Sequence, residues 1–171
     1  MIILAIDAAT VTSGFALIKV DGPDIKLVDW GRIKGKGALH ERLEYLRTEV
    51  VRLLEEHKPD EVAVEDLKFS KFAKNFSSLG KVAMAIGVVQ AAFAGAGHAT
   101  LYSVPANVVR KTWDVKQDKS QLRAAVNKKF ITQIKDNGRP NGFIKADEDT
   151  VDAIGLAVTT WTLIAKEKRN G

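Results

Sequence analysis

Ile2-Ile-Leu-Ala-Ile-Asp7, with Ala8-Ala-Thr-Val-Thr-Ser-Gly14 and Phe15-Ala-Leu-Ile-Lys-Val20 behind it, decides how the rest of the chain is placed. The apolar run before Asp7 is too short for an ordinary helix and rich in β-branched side chains, so it predicts a buried strand. Asp7 closes that strand. A carboxylate at the end of a core strand needs a cation, a donor or water, because burying it unpaired is costly or forces it to take up a proton. Ala8 to Gly14 supplies turn formers, and Phe15 to Val20 predicts a strand returning antiparallel to the first. On its own, Asp7 needs no role beyond capping that turn. Other acids converging on it would change that.

Working outward, Gly22-Pro23 marks a turn before a third strand over Ile25 to Ile33, and the glycines at 35 and 37 close an antiparallel unit. From Ala38 to His57 the residues Leu39, Leu43, Leu46, Val50, Leu53 and Leu54 recur at helical spacing. Lys58-Pro59-Asp60 ends this helix and Glu61-Val-Ala-Val-Glu65 begins another strand. Two strands joined by a crossover helix in one sheet are parallel neighbours. That brings Asp7 and Glu65 to the same sheet edge, the edge at which α/β folds gather ligands. Taken alone, Glu65 is a solvated strand end. Ala99 to Val104 predicts a fifth strand, Pro105 to Trp113 a short helix, and Lys119 to Ile134 a basic helix with Leu122, Val126, Phe130 and Ile134 on its apolar side. Asp147 to Lys168 is a final helix of about six turns. The expected fold class is α/β: a five-stranded mixed sheet, three antiparallel strands and then parallel ones, flanked by helices in one domain over residues 1–171.

The last helix opens on Asp147-Glu-Asp-Thr-Val-Asp152. Acids in a first turn suit the helix dipole, which accounts for Asp147 and Glu148. Asp149 and Asp152 are three apart and share a face that continues through Ala153, Leu156, Thr160 and Leu163. Because Val151, Ile154, Gly155 and Val158 make the opposite face apolar as well, the helix should be buried on much of its circumference, with two carboxylates at its mouth. Inward-facing carboxylates repel unless they share a proton or a cation. Together, Asp7, Glu65, Asp149 and Asp152 form an oxygen-only donor set, the chemistry of Mg²⁺ with Mn²⁺ able to substitute. Two such ions about 4 Å apart can activate water and stabilise the leaving oxygen in phosphodiester cleavage.

Charge points to the substrate class. The net charge is +5, yet Arg110 to Arg139 alone holds nine Lys and Arg against three acids. So concentrated a positive region suits a polyanion, nucleic acid above all. Between residues 68 and 81, Lys68, Lys71, Lys74 and Lys81 interleave with Phe69, Phe72 and Phe76. Ammonium groups meet phosphates and rings stack on or wedge between bases, although rings at this spacing also suit the core face of a helix. Val82 to Gly97 carries no charge and many small residues. A helix apolar all round is central or is covered by another subunit, so a homodimer contact is expected here; the run is a little short for a membrane span of about 20 residues. The absence of cysteine excludes disulfides and thiolate metal sites, and His40, His57 and His98 are scattered. The apolar start has no basic segment before it, so the chain reads as cytoplasmic.

The order of strand-Asp, helix, strand-Glu, basic middle and late Asp-x-x-Asp-Ala helix resembles the RuvC family of Holliday junction resolvases over nearly the whole chain. The matching motifs are Leu4-Ala-Ile-Asp7 with Gly14 downstream, Val62-Ala-Val-Glu65, Lys119-Ser-Gln121 and Asp149-Thr-Val-Asp152-Ala153. The resemblance implies an RNase H-like fold and a homodimeric, Mg²⁺-dependent endonuclease that makes paired nicks in four-way DNA junctions. It makes Asp7, Glu65, Asp149 and Asp152 the catalytic, metal-binding carboxylates. Arg110 and Lys119 match basic residues near the scissile phosphate, and Phe69 falls close to an aromatic that disturbs base pairing at the crossover. Lys68, Lys71, Lys74, Lys111 and Arg123 complete the expected DNA-binding set. The chain departs from the pattern at Ala8-Ala9, where members usually carry Pro-Gly, and in the extra acids Asp66 and Asp147, either of which could join the site.

Four acids specify metal chemistry and not the substrate, so a nuclease acting on RNA or unbranched DNA is the alternative within the same fold. A non-catalytic DNA-binding module, its acids serving as caps, is the alternative from another class. An actin-like kinase, suggested by Asp7 with Thr10 and Gly14, would need a second lobe and further phosphate motifs that this chain lacks.

Overall fold

Alternating burial along the first strands sorts their side chains into two cores. The computed structural model describes residues 1–67, 76–97, 99–116, 119–136 and 148–171. In β1 (Ile2–Asp7), Ile3 and Ala5 face one core, and Leu4 and Ile6 face the other. β2 (Thr12–Asp21) continues the division, with Ala16, Ile18 and Val20 on the first side and Phe15 and Leu17 on the second. Side chains of a strand buried on both faces must all be apolar, which is why these runs read as nearly unbroken hydrophobic sequence.

β3 (Asp24–Lys34), β4 (Glu61–Asp66) and β5 (Thr100–Pro105) complete one sheet in the order β3-β2-β1-β4-β5. The first three strands are antiparallel; β1–β4 and β4–β5 are parallel. This is the mixed sheet expected from the sequence. α1 (Leu39–His57) and α2 (Phe76–Ala96) cover the face bearing Leu4 and Ile6. α3 (Ala106–Thr112), α4 (Lys119–Asp136) and α5 (Glu148–Asn170) cover the other.

Two local devices fix the register. The Ile2 amide donates to Asp60 Oδ2 at 2.6 Å, and the Asp60 amide donates to the Ile2 carbonyl at 2.9 Å, so the starts of β1 and β4 are clasped directly. α1 ends in the left-handed Lys58 (φ 44°), whose amide donates to the Leu54 carbonyl, and this reverses the chain into β4. At the far side of the sheet, Gln133 of α4 treats β3 as a neighbouring strand would. Its Oε1 accepts from the Leu27 amide at 2.8 Å and its Nε2 donates to the Ile25 carbonyl at 3.0 Å.

The first hairpin is tighter than expected. The predicted turn from Ala8 to Gly14 is corrected to Ala8–Val11, because β2 begins at Thr12 and pairs Gly14 with Asp7. Ser13 closes it: its hydroxyl accepts from the Ala9 amide at 2.9 Å and donates to the Ala9 carbonyl at 2.8 Å. Side-chain bonding to backbone is what makes serine a turn former, and here it operates from inside the strand.

Candidate active site

The strand β1 ends at Asp7, and its pairing with β4 runs from Ile3 opposite Glu61 to Ile6 opposite Val64. Continued by one residue, this register brings Asp7 level with Glu65 on strands about 4.8 Å apart. The pleat then sets their side: Ile3, Ala5 and Ala63 face the core beneath α5, so Asp7 and Glu65 stand on that face too. Asp66 falls on the opposite pleat and is exposed, so the alternation separates this extra acid from the pair.

The mouth of α5 is delivered to the same place by a glycine. Gly14, the antiparallel partner of Asp7, lies on the face beneath α5, and a Cβ built on it would run into the Asp149 carbonyl and come within 2.8 Å of the Thr150 amide nitrogen. Only a residue without a side chain admits the helix backbone at this distance. One residue on, the Thr150 hydroxyl donates to the Gly31 carbonyl at 3.2 Å and ties the same turn to β3. Asp149 and Asp152 therefore begin the helix directly over the strand end that carries Asp7. Thr150, Val151 and Ala153 to Thr160 are buried, whereas Asp149 and Asp152 remain half-buried, as are Asp7 and Glu65.

Fold and register thus bring the backbones of the four acids to one edge. Their side chains do not form a finished metal nest: among the described residues, no group of three or more His, Asp or Glu is gathered closely enough to hold an ion. The donor set nonetheless fits a hard divalent cation, being carboxylate oxygen throughout.

The basic helices hang from α5 one turn beyond Asp152. Gly155 is their seat: a Cβ there would meet Leu122 of α4 at 3.3 Å and Val109 of α3 at 3.4 Å. The Trp113 indole donates to the Gly155 carbonyl at 3.0 Å. Half-buried Arg110 and exposed Lys111 follow Val109, and half-buried Arg123 follows Leu122, so packing at Gly155 fixes where these cations start. Lys119 opens α4. Lys68, Phe69, Lys71, Lys74 and Asp147 lie outside the described residues.

Residues 3–160 match the family model described as crossover junction endodeoxyribonuclease RuvC. The chain belongs to the RuvC family. The RuvC of Brachyspira hyodysenteriae is 30% identical over 160 residues, covering 92% of both chains. That of Halothermothrix orenii is 32% identical over 83 residues, an alignment that spans 47% of this chain and only half of that protein's length. Among solved structures, Thermus thermophilus RuvC in complex with a Holliday junction substrate superposes with a TM-score of 0.73 at 23% identity, covering 93% of this chain and 92% of that one. The fold is therefore the RNase H-like fold that the sequence motifs implied.

What sequence reasoning missed is the reason for two glycines. Gly14 counted only as a turn former and motif match, and Gly155 only as part of an apolar face. The signal for Gly14 was its place seven residues after Asp7 across a hairpin, which makes it the register partner of the acid.

Proposed function

We propose that this chain is a divalent-metal-dependent endonuclease that resolves four-way DNA junctions by paired nicks, acting as a homodimer. The observation that carries the reading is the delivery of Asp7, Glu65 and the Asp149–Asp152 turn to one sheet edge by β-register and by the Gly14 contact, in a chain of the RuvC family. Asp7, Glu65, Asp149 and Asp152 would hold Mg²⁺ or Mn²⁺, which when bound supplies an activated water and charge neutralisation at the scissile phosphate. Arg110, Lys111, Lys119 and Arg123 would grip the strand beside the cut, as point charges and forks on phosphate oxygens. Lys68, Phe69, Lys71 and Lys74 enter this proposal on sequence alone, as the phosphate contacts and base wedge of the crossover.

The homodimer is supported by the surface of α2. Gly80, Met84, Gly87, Ala91, Ala94 and Gly95 are exposed, uncharged and spaced three or four apart, whereas Ala85, Val89, Ala92 and Phe93 on the opposite side are buried against the core. The 20 residues Ser77–Ala96 have a mean hydropathy of 1.5, enough by length and composition to cross a membrane, yet one side of them is packed on this protein's own sheet and α1. A groove of about 740 Å³ beside that surface has Val51, Leu54, Ala92 and Ala96 in its wall and Arg47 and Glu55 among its polar lining. Small residues let a second helix approach closely, and a second copy would cover the face.

The test is incubation of the purified protein with an end-labelled immobile junction, alongside a fork, a duplex and an RNA–DNA hybrid, with Mg²⁺, Mn²⁺ or chelator. Symmetric nicks in the junction that vanish in chelator are expected. Equal cutting of duplex or hybrid, or cutting that survives chelation, would refute the reading.

A further inference from the structure

At the sheet edge that carries Asp7, the hairpin turn and the start of α2 leave an open cleft of about 370 Å³ between them. Ala9, Thr10, Val11 and Thr12 of the hairpin line it together with Ser78, Lys81 and Val82 of α2, and Asp149 of α5 is in the lining as well. The residues of α2 are not scattered around that helix. Ser78, Lys81 and Val82 stand three and four apart, on the side that becomes the buried side at Ala85, Val89 and Ala92. The core-facing side of α2 therefore overruns the sheet at its first turns, and there it is lined by a hydroxyl, an ammonium and a methyl pair instead of core residues.

We propose that this cleft holds a phosphodiester of the substrate strand next to the one that is cut, with Lys81 as its cation and the hydroxyls of Ser78, Thr10 and Thr12 as donors. The proposal rests on the functional reading above and adds to it a subsite outside the basic region of α3 and α4. The chemistry of the lining selects the ligand. Hydroxyls and one ammonium suit a singly charged phosphodiester better than a dianionic phosphomonoester, which calls for more positive charge. Val11, 51% exposed, and Val82 present methyl surface suited to a deoxyribose. Among the described residues Lys81 has no carboxylate in ion-pair contact, so its ammonium is available to an incoming anion. The Asp149 carboxylate in the lining repels an anion from its own neighbourhood. The bound phosphate accordingly sits toward Lys81, one step along the strand from the carboxylate edge.

The test is a fluorescence-anisotropy titration of an immobile four-way junction in chelator, comparing wild type with Lys81→Gln, Lys81→Arg and Ser78→Ala over about 50 to 200 mM salt. Lys81→Gln is expected to weaken junction binding about fivefold and to lower the salt slope by about one, and Lys81→Arg to restore most of both. The decisive arm places a single neutral methylphosphonate at each of the phosphates flanking the cut. One flanking position should weaken wild type and leave Lys81→Gln unaffected, and Ser78→Ala should blunt the effect at that same position. Circular dichroism melts check that each variant is folded, and Lys81 is exposed, so the glutamine variant keeps its helix. If wild type binds and cuts the junction but all variants share its affinity and methylphosphonate profile, the subsite is overturned while the nuclease reading stands. If wild type neither binds nor cuts, the nuclease reading itself falls, and the subsite with it.

Discussion

α2 and α5 are the two longest helices among the described residues, and the chain treats them in opposite ways. α5 is enclosed by its own molecule: β1 and β2 lie beneath it, α3 and α4 flank it at Gly155, and almost every residue from Thr150 to Thr160 is buried. α2 is enclosed on one side only, with Met84 52% exposed on the other. Enclosure gives α5 a fixed mouth, which is what a set of repelling carboxylates requires. Partial cover gives α2 a free apolar side, which is what an association surface requires. Two helices of similar length are thus told apart by what surrounds them.

The largest effect should come from the acids at the mouth of α5. Asp7→Asn and Asp152→Asn are each expected to slow junction cleavage on the order of a thousandfold, about 4 kcal/mol of barrier, while anisotropy still reports junction binding. Variants that cleave normally would reduce these acids to caps and make the two helices equivalent. Next comes the anchor. Gly14→Ala forces a Cβ into the Asp149 carbonyl, so we expect a loss of about 3 kcal/mol in urea unfolding and cleavage reduced even where the protein is folded. A stable, active Gly14→Ala protein would show that α5 is not seated as described.

On the α2 side, Met84→Glu places a charge on the exposed face and should shift sedimentation from dimer to monomer at micromolar concentration with an unchanged melting temperature. A dimer unaffected by the charge would send the association surface elsewhere. The smallest effect is expected at the flank of α5. Trp113→Phe removes the indole hydrogen bond to the Gly155 carbonyl, which still accepts from the Thr159 hydroxyl at 2.7 Å, and should cost about 1 kcal/mol in the same unfolding assay. A loss several times larger would make α3, with Arg110 and Lys111, the true keystone of that side.

Much of this was legible before any coordinates. Strand order followed from the crossover rule applied to β1, α1 and β4, and the burial of α5 from its two apolar faces. Asp7 and Glu65 could be placed on one edge because register and pleat are nearly determined once parallel pairing is granted. Side-chain geometry was not legible: donor type and order along the chain do not say how far apart carboxylate oxygens stand, and the described residues are not gathered into a ligand cluster. The reach of β2 back to Thr12 also escaped notice, because Thr12-Ser-Gly14 carries turn chemistry and strand pairing at once. Contact-driven requirements leave a faint trace in sequence, and Gly14 looks like any turn glycine until a helix is seen lying on it.

The amide of Gln133 has a consequence for how the molecule meets copies of itself. By occupying peptide groups of Ile25 and Leu27, it removes that part of the rim of the sheet as a template for another chain's extended segment. Strand addition along this part of the border is thus blocked by one side chain.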